Sequence, residues 1–243
     1  MPLRGTTLTT GEHADRVRAA VVVVAGGSGT RVGGTTNKVL VPLRGRPVLA
    51  WSVRTICSLS YVEQLVVVAR ESELAAVHEL VTTELPEGRE ATLVPGGDTR
   101  HASEWVGLQA LRDRVEAGLV DVVVVHDAAR PLADAQLFDR TVAAAQEHGG
   151  AIPVREQSDL LTRDGHRVVR GLVAVQTPQA FRSRELLAAY DRAARDGFTG
   201  TDTASCFTAY TDLPVHGVPA PATNLKITFP EDLRLAERLL SQP

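Results

Sequence analysis

Ala20-Val21-Val22-Val23-Val24-Ala25-Gly26-Gly27-Ser28-Gly29-Thr30-Arg31 decides the fold of this chain. An uninterrupted run of small and β-branched apolar residues has no polar side to offer water, so it reads as a strand covered on both faces, the environment of a parallel sheet. The glycines that follow let the backbone turn and bring its N–H groups close to an anion, with Arg31 and Lys38 adding positive charge. The spacing lacks the Gly-Lys-Ser/Thr close of one common phosphate loop. Val32 also stands where a dinucleotide-binding turn has its last glycine.

Similar apolar runs occur at 65–69, 91–94, 121–125 and 172–175. Between them, helical spacing predicts helices over 47–58, 72–85, 101–115 and 134–148, with Asp134 as an N-cap. Further helices are predicted over 182–195, 202–210 and 230–240, the last opening on a proline. Strand, helix, strand in series implies right-handed crossovers and a doubly wound, mostly parallel α/β sheet flanked by helices. Beyond Gly149 the pattern breaks into a polar stretch, 155–170, with Asp164-Gly165 as a turn signal, which predicts a hairpin arm leaving the core.

The 243 residues suit one domain, here expected over 19–243 behind a flexible, polar segment 1–18. No apolar run is long enough to span a bilayer, and the first residues lack the apolar core of a secretory signal, so a cytoplasmic location is expected. A net charge of −3 is the wrong sign for a surface that binds nucleic acid, so any phosphate must meet a local positive cluster. Cys57 and Cys206 fit neither a disulfide framework nor a metal-ligand spacing. All but two of the 26 basic residues are arginine, the exceptions being Lys38 and Lys226. A lysine kept in so arginine-rich a chain has a chemical reason available: its ammonium is a compact point charge that sits between phosphate oxygens.

Three further segments carry chemistry. The fourth run ends in His126-Asp127-Ala128-Ala129-Arg130-Pro131. Ligands of open parallel sheets bind beyond the carboxyl ends of the strands, where an Asp can hold Mg²⁺ or a sugar hydroxyl. The turn from Pro95 to Ser103 contains Gly97, Asp98 and Ser103, which allow close approach and offer groups to read a base edge. Asn224 to Thr228 reads as a strand-like piece bearing Lys226.

Together these residues resemble the 2-C-methyl-D-erythritol 4-phosphate cytidylyltransferase family over nearly the whole chain from Ala20. The resemblance is carried by Ala25 to Arg31 with Lys38, Gly96 to Ser103, His126 to Pro131, Gln176-Thr177-Pro178-Gln179-x-Phe181, Thr201-Asp202 with Ala204-Ser205, and Asn224-x-Lys226-x-Thr228. It implies a nucleotidyltransferase fold with a β-arm, at about 153–173, through which two subunits form a homodimer. It implies transfer of CMP from CTP to a polyol phosphate with release of pyrophosphate, aided by Mg²⁺. By resemblance, Arg31, Lys38 and Lys226 are the catalytic cations. Ala25, Gly26, Gly27, Gly29, Gly97, Asp98 and Ser103 hold the nucleotide, and Asp127, Arg130, Arg170, Thr177 and Thr201 hold the acceptor, with Asp127 also placed on the metal.

The chain departs from the family pattern in three places. Asn37 replaces the proline that commonly precedes the loop lysine. The arm has Ser158-Asp159-Leu160-Leu161-Thr162 in place of Asp-Thr-x-Lys. Val169 stands at the arm's arginine position, with Arg170 one residue later. The altered arm keeps other acceptors open, ribitol 5-phosphate first. A guanylyltransferase of the molybdopterin type and a binding-only paralogue are the remaining readings.

Overall fold

The computed structural model describes residues 17–27, 37–157 and 171–241. The chain order is β1 (Ala19–Val24), the short pair β2 (Pro42–Leu43) and β3 (Arg46–Pro47), α1 (Val48–Ser58), β4 (Val62–Ala69) and α2 (Leu74–Glu84). Next come β5 (Ala91–Pro95), α3 (Arg100–Gln109), α4 (Arg112–Glu116), β6 (Val122–Asp127), α5 (Ala135–His148) and β7 (Gly150–Glu156). The chain continues through β8 (Val173–Val175), β9 (Gln179–Arg182), α6 (Ser183–Asp196), α7 (Thr203–Tyr210), β10 (Val215–Pro219) and α8 (Pro230–Leu239).

Among the described residues, one sheet runs in the order β10-β7-β9-β6-β1-β4-β5, with β8 paired to the far part of β7. β5, β4, β1 and β6 are mutually parallel, whereas β9 runs antiparallel to both β6 and β7. The valine run does what its composition requires: Val21 and Val23 pack into the cluster on one face, with Leu49, Val53 and Phe138. Ala20 and Val22 pack into the other, with Leu108, Phe181 and Tyr190. Both faces of β1 are dry, so the run needs no alternation.

Helix α3 approaches β1 closely because Gly107 has no side chain. A Cβ there would stand 2.4 Å from Val22 Cγ1. Asp134 caps α5, its carboxylate accepting from the Leu137 N–H at 2.8 Å.

Two expectations change. The helix predicted over 101–115 is two, broken by a turn at Ala110-Leu111, and Leu108 and Leu111 are both fully buried on either side of the break. The piece from Asn224 to Thr228 forms no strand. Scattered bonds hold it in place of a ladder: the Ile227 N–H donates to the Ala129 carbonyl at 2.8 Å, Arg130 Nη1 donates to the Asn224 carbonyl at 2.8 Å, and Asn224 Nδ2 donates to the Thr177 carbonyl at 3.0 Å. Among the described residues, β7, β9, β10 and the two-residue pair β2 and β3 carried no clear sequence signal. Of the predicted arm, β8 and the end of β7 are described, pairing Val154 with Val175, while 158–170, including the Asp164-Gly165 turn, lie outside the described residues.

Candidate active site

The carboxyl ends of β1, β4, β5 and β6 open onto one cleft of about 570 Å³. Topology puts it there, since parallel strands deliver all their carboxyl-terminal turns to the same edge. Ala25, Gly26 and Gly27 arrive from β1, Arg70 and Glu71 from β4, Gly97, Asp98 and Ser103 from the turn into α3, and Asp127 from β6. Lys38 and Lys226 line the same cleft, from opposite ends of the sequence.

The turn after β5 is shaped by its glycines. A Cβ on Gly97 would meet Ala102 Cβ at 2.6 Å, so the residue lets the turn fold back on the first turn of α3. Thr99 caps that helix by accepting from the Ala102 N–H at 3.0 Å. Ser103 Oγ donates to the Gly97 carbonyl at 3.2 Å, closing the turn from within. The first-turn N–H groups of α3 consequently lie at the cleft wall.

Asp127 is the electrostatic centre. Its Oδ2 accepts from Lys226 Nζ at 2.8 Å, its Oδ1 lies 3.1 Å from Arg100 Nη2, and Arg130 Nε stands 3.8 Å from Oδ2. Burial pushes this carboxyl upward, but Arg100, Lys226 and Arg130 outweigh it and hold it well below the usual carboxylate range. Arg100 Nη2 and Arg130 Nε are buried without an aligned hydrogen-bond acceptor.

Behind Asp127 lies a polar relay. The Asp127 N–H donates to Thr177 Oγ1 at 3.0 Å, and that hydroxyl is 3.3 Å from His126 Nδ1. His126 Nε2 is 3.4 Å from Ser52 Oγ. Thr177 Oγ1 thus joins the Asp127 backbone to the His126 ring, and the ring reaches Ser52 on its far side. Burial lowers the His126 pKa to about 4, so it is neutral at physiological pH.

Arg100 is in turn held by Glu104, whose Oε1 accepts from Arg100 Nε at 3.0 Å. Glu104 also accepts from Thr203 Oγ1 at 2.9 Å and from the Tyr190 hydroxyl at 2.5 Å. Burial pushes its carboxyl upward, and these donors offset part of that shift.

The expected site residues thus divide. Ala25, Gly26, Gly27, Lys38, Gly97, Asp98, Ser103, Asp127 and Lys226 share the cleft. Arg130 and Thr177 are buried and support Asp127 and Asn224 from behind. Thr201 is exposed and does not line the cleft. Gly29, Arg31 and Arg170 lie outside the described residues. Arg100 and Glu104 received no role from sequence. Arg100 could have been found only through its place in the Gly96 to Ser103 motif, because one arginine among so many carries no compositional signal.

Asp127 does not fit a metal-ligand role as it stands. Both of its oxygens face cations, and a divalent ion would have to displace Lys226 or Arg100. Among the described residues no three His, Cys, Asp or Glu side chains converge on a common point. This arrangement does not fit the expected Mg²⁺ on Asp127.

The sequence profile of the 2-C-methyl-D-erythritol 4-phosphate cytidylyltransferase family matches residues 19–242. The chain belongs to this family. A relative of that name from Symbiobacterium thermophilum is 38% identical over 234 residues, covering 93% of this chain and 94% of its own. One from Thermosynechococcus vestitus is 35% identical, covering 90% and 94%. The crystal structure of the cytidylyltransferase of the same name from Thermus thermophilus is 31% identical with a TM-score of 0.72, covering 93% of this chain and 100% of its own. The synthase structure from Anaerococcus prevotii, at 24% identity, shares the fold with a TM-score of 0.79, over 93% and 97% of the two chains. Family membership extends over both the glycine turn that carries Lys38 and the C-terminal stretch that carries Lys226.

Proposed function

We propose that this protein transfers CMP from CTP to 2-C-methyl-D-erythritol 4-phosphate, releasing pyrophosphate. The observation that carries the proposal is the meeting of Lys38 and Lys226 in one cleft with the glycine turn and Asp127. Attack of one phosphate on another brings two anions together, so rate comes from positioning and from fixed positive charge where negative charge develops. No covalent nucleophile is needed.

In this reading the backbone at 25–27 and Lys38 receive the triphosphate. Lys226, held by Asp127, stands between nucleotide and acceptor. The turn at Gly97 to Ser103 reads the cytosine, and the N-terminus of α3 adds favourable N–H dipoles. Arg100 and Arg130 keep Asp127 ionised. Arg31 and Arg170 retain the roles that resemblance gives them. A Mg²⁺ ion would come with the triphosphate, whose oxygens suit it as ligands. We further propose a homodimer formed through the arm, supported by the exposed Leu172, Val173 and Val175 beside the edge pairing of β7 with β8. Among the described residues no helix is long and apolar enough to cross a membrane.

The test is pyrophosphate release from each of the four nucleoside triphosphates, with Mg²⁺ and either methylerythritol phosphate or ribitol 5-phosphate. Release with CTP and methylerythritol phosphate is expected. Release with ribitol 5-phosphate alone would reassign the acceptor, and none with either would leave a binding protein.

A further inference from the structure

Asn37 departs from the family's proline, and its side chain is almost wholly buried at 3% exposure. Every polar atom of its carboxamide is engaged. Nδ2 donates to the Ala25 carbonyl at 2.9 Å and to Glu73 Oε2 at 2.7 Å. Oδ1 accepts from the Val39 N–H at 3.3 Å, capping the turn that begins at Lys38. Two acceptors on one side and a donor on the other fix which way the amide faces. Glu73 continues the connection, with Oε1 3.9 Å from Arg70 Nη1. Arg70 Nε donates to the Gly26 carbonyl at 3.1 Å.

We infer that Asn37 is a positioning residue, a latch that ties the carbonyl edge of Ala25 and Gly26 to the turn that starts at Lys38. A closed path runs from Ala25 through Asn37, Glu73 and Arg70 back to Gly26. It fixes the distance between the backbone that meets the phosphates and the lysine that supplies their charge. The backbone at Asn37 has φ −60°, a value proline would also adopt. Proline stiffens its own dihedral and the residue before it, but forms no bond across the gap. The asparagine adds a direct bond across the gap, so this chain holds Lys38 by a side chain where a ring would otherwise serve. The inference rests on the CTP reading for its kinetic consequence, though not for its structural one.

The test separates the latch from the cap. Asn37→Asp is nearly isosteric and keeps the oxygen that caps Val39, but it turns a carboxylate toward the Ala25 carbonyl and Glu73. Faster amide hydrogen exchange at 25–27 and 38–41 is expected, and kcat/KM for CTP should fall about tenfold or more, since small misplacements of a charged group are costly. KM for the acceptor should stay unchanged. Adding Glu73→Gln supplies a donor from the opposite side and should restore much of both protection and kcat/KM.

Unchanged exchange and kcat/KM in Asn37→Asp would overturn the latch. So would a double variant no better than the single one, or a rise in the acceptor's KM as large as any rise in that of CTP. If the wild-type protein does not turn over CTP, the functional reading fails, and the exchange comparison still decides the latch.

Discussion

Lys226 Nζ lies 2.8 Å from Asp127 Oδ2, across 99 residues of sequence. The stretch that carries the lysine is pinned on both sides: Asn224 is buried against Gln176 and Thr177, and the Ile227 N–H donates to the Ala129 carbonyl at 2.8 Å. An ammonium so anchored is already in place when an anion arrives, and it has little side-chain freedom left to lose. Lys226→Ala should therefore lower turnover by roughly tenfold to a hundredfold. Because its side chain is partly exposed and Arg100 still faces Asp127, the urea midpoint should barely move. A large loss of stability with normal turnover would show the lysine to be structural.

Lys38 is the sharper case for charge at the transition state. A fixed cation contributing about 3 kcal/mol corresponds to on the order of a hundredfold in rate. Lys38→Ala should show at least that loss in pyrophosphate release with an unchanged circular dichroism spectrum. A near-normal rate would remove Lys38 from the chemistry.

Asp127→Asn should behave differently, since it leaves Arg100, Arg130 and Lys226 facing one another without their shared anion. Breaking a buried charge cluster in this way costs about 3–5 kcal/mol. The carboxyl is held below its unfolded value, so its contribution is complete above the ordinary Asp range and is lost only as pH falls below it. Urea titrations should give a constant difference between wild type and variant from about pH 5 to 8, shrinking below about pH 4. A difference that shrinks between about pH 8 and 6 instead would mean that another group is responsible.

His126 supplies a second pH signature, of a different origin. Its folded pKa of about 4 lies below the unfolded value near 6.5, so in that window the unfolded chain binds the extra proton. Stability should fall as pH drops from about 6.5 to 4, by up to roughly 3 kcal/mol from this residue. His126→Asn should flatten that slope, as read from urea midpoints across the window. An unchanged slope would place a neutral histidine elsewhere.

Two glycines offer a steric contrast. Gly107→Ala puts a Cβ 2.4 Å from Val22 Cγ1 and should destabilise the fold by about 1–3 kcal/mol through overpacking. Gly27→Ala meets nothing within 4 Å and should fold normally, yet weaken CTP binding where the backbone faces the cleft. Thermal melts and nucleotide titration separate the two. Equal melting temperatures would mean that α3 can move off β1 without cost.

The parallel half of the sheet was legible because its strands are covered on both faces, and sequences such as 21–24 and 122–125 then admit one reading. β7, β9 and β10 were not. They are short or contain glycine and proline, and β9 is recognisable mainly by the motif around Gln179, a residue chosen for its polar contacts. In the site, the rarity of lysine pointed to Lys38 and Lys226. Thr177 was legible as a motif residue but not as a support, because its partner, the Asp127 N–H, lies 50 residues away. Glu104 gave no signal: a glutamate on a helix is ordinarily a solvated residue, and only the fold shows that it is fully buried beneath Arg100.

The reversed direction of β9 has a further consequence. An antiparallel neighbour of β6 begins at the edge where β6 ends, so the chain entering β9 delivers Thr177 to Asp127, and later residues deliver Lys226. The four parallel strands are complete by residue 127. A nascent polypeptide released at that point would hold the glycine turns, Arg100 and an acidic group still waiting for its ammonium, so synthesis must run on for a further 99 residues, to Lys226, before the cation cluster can assemble.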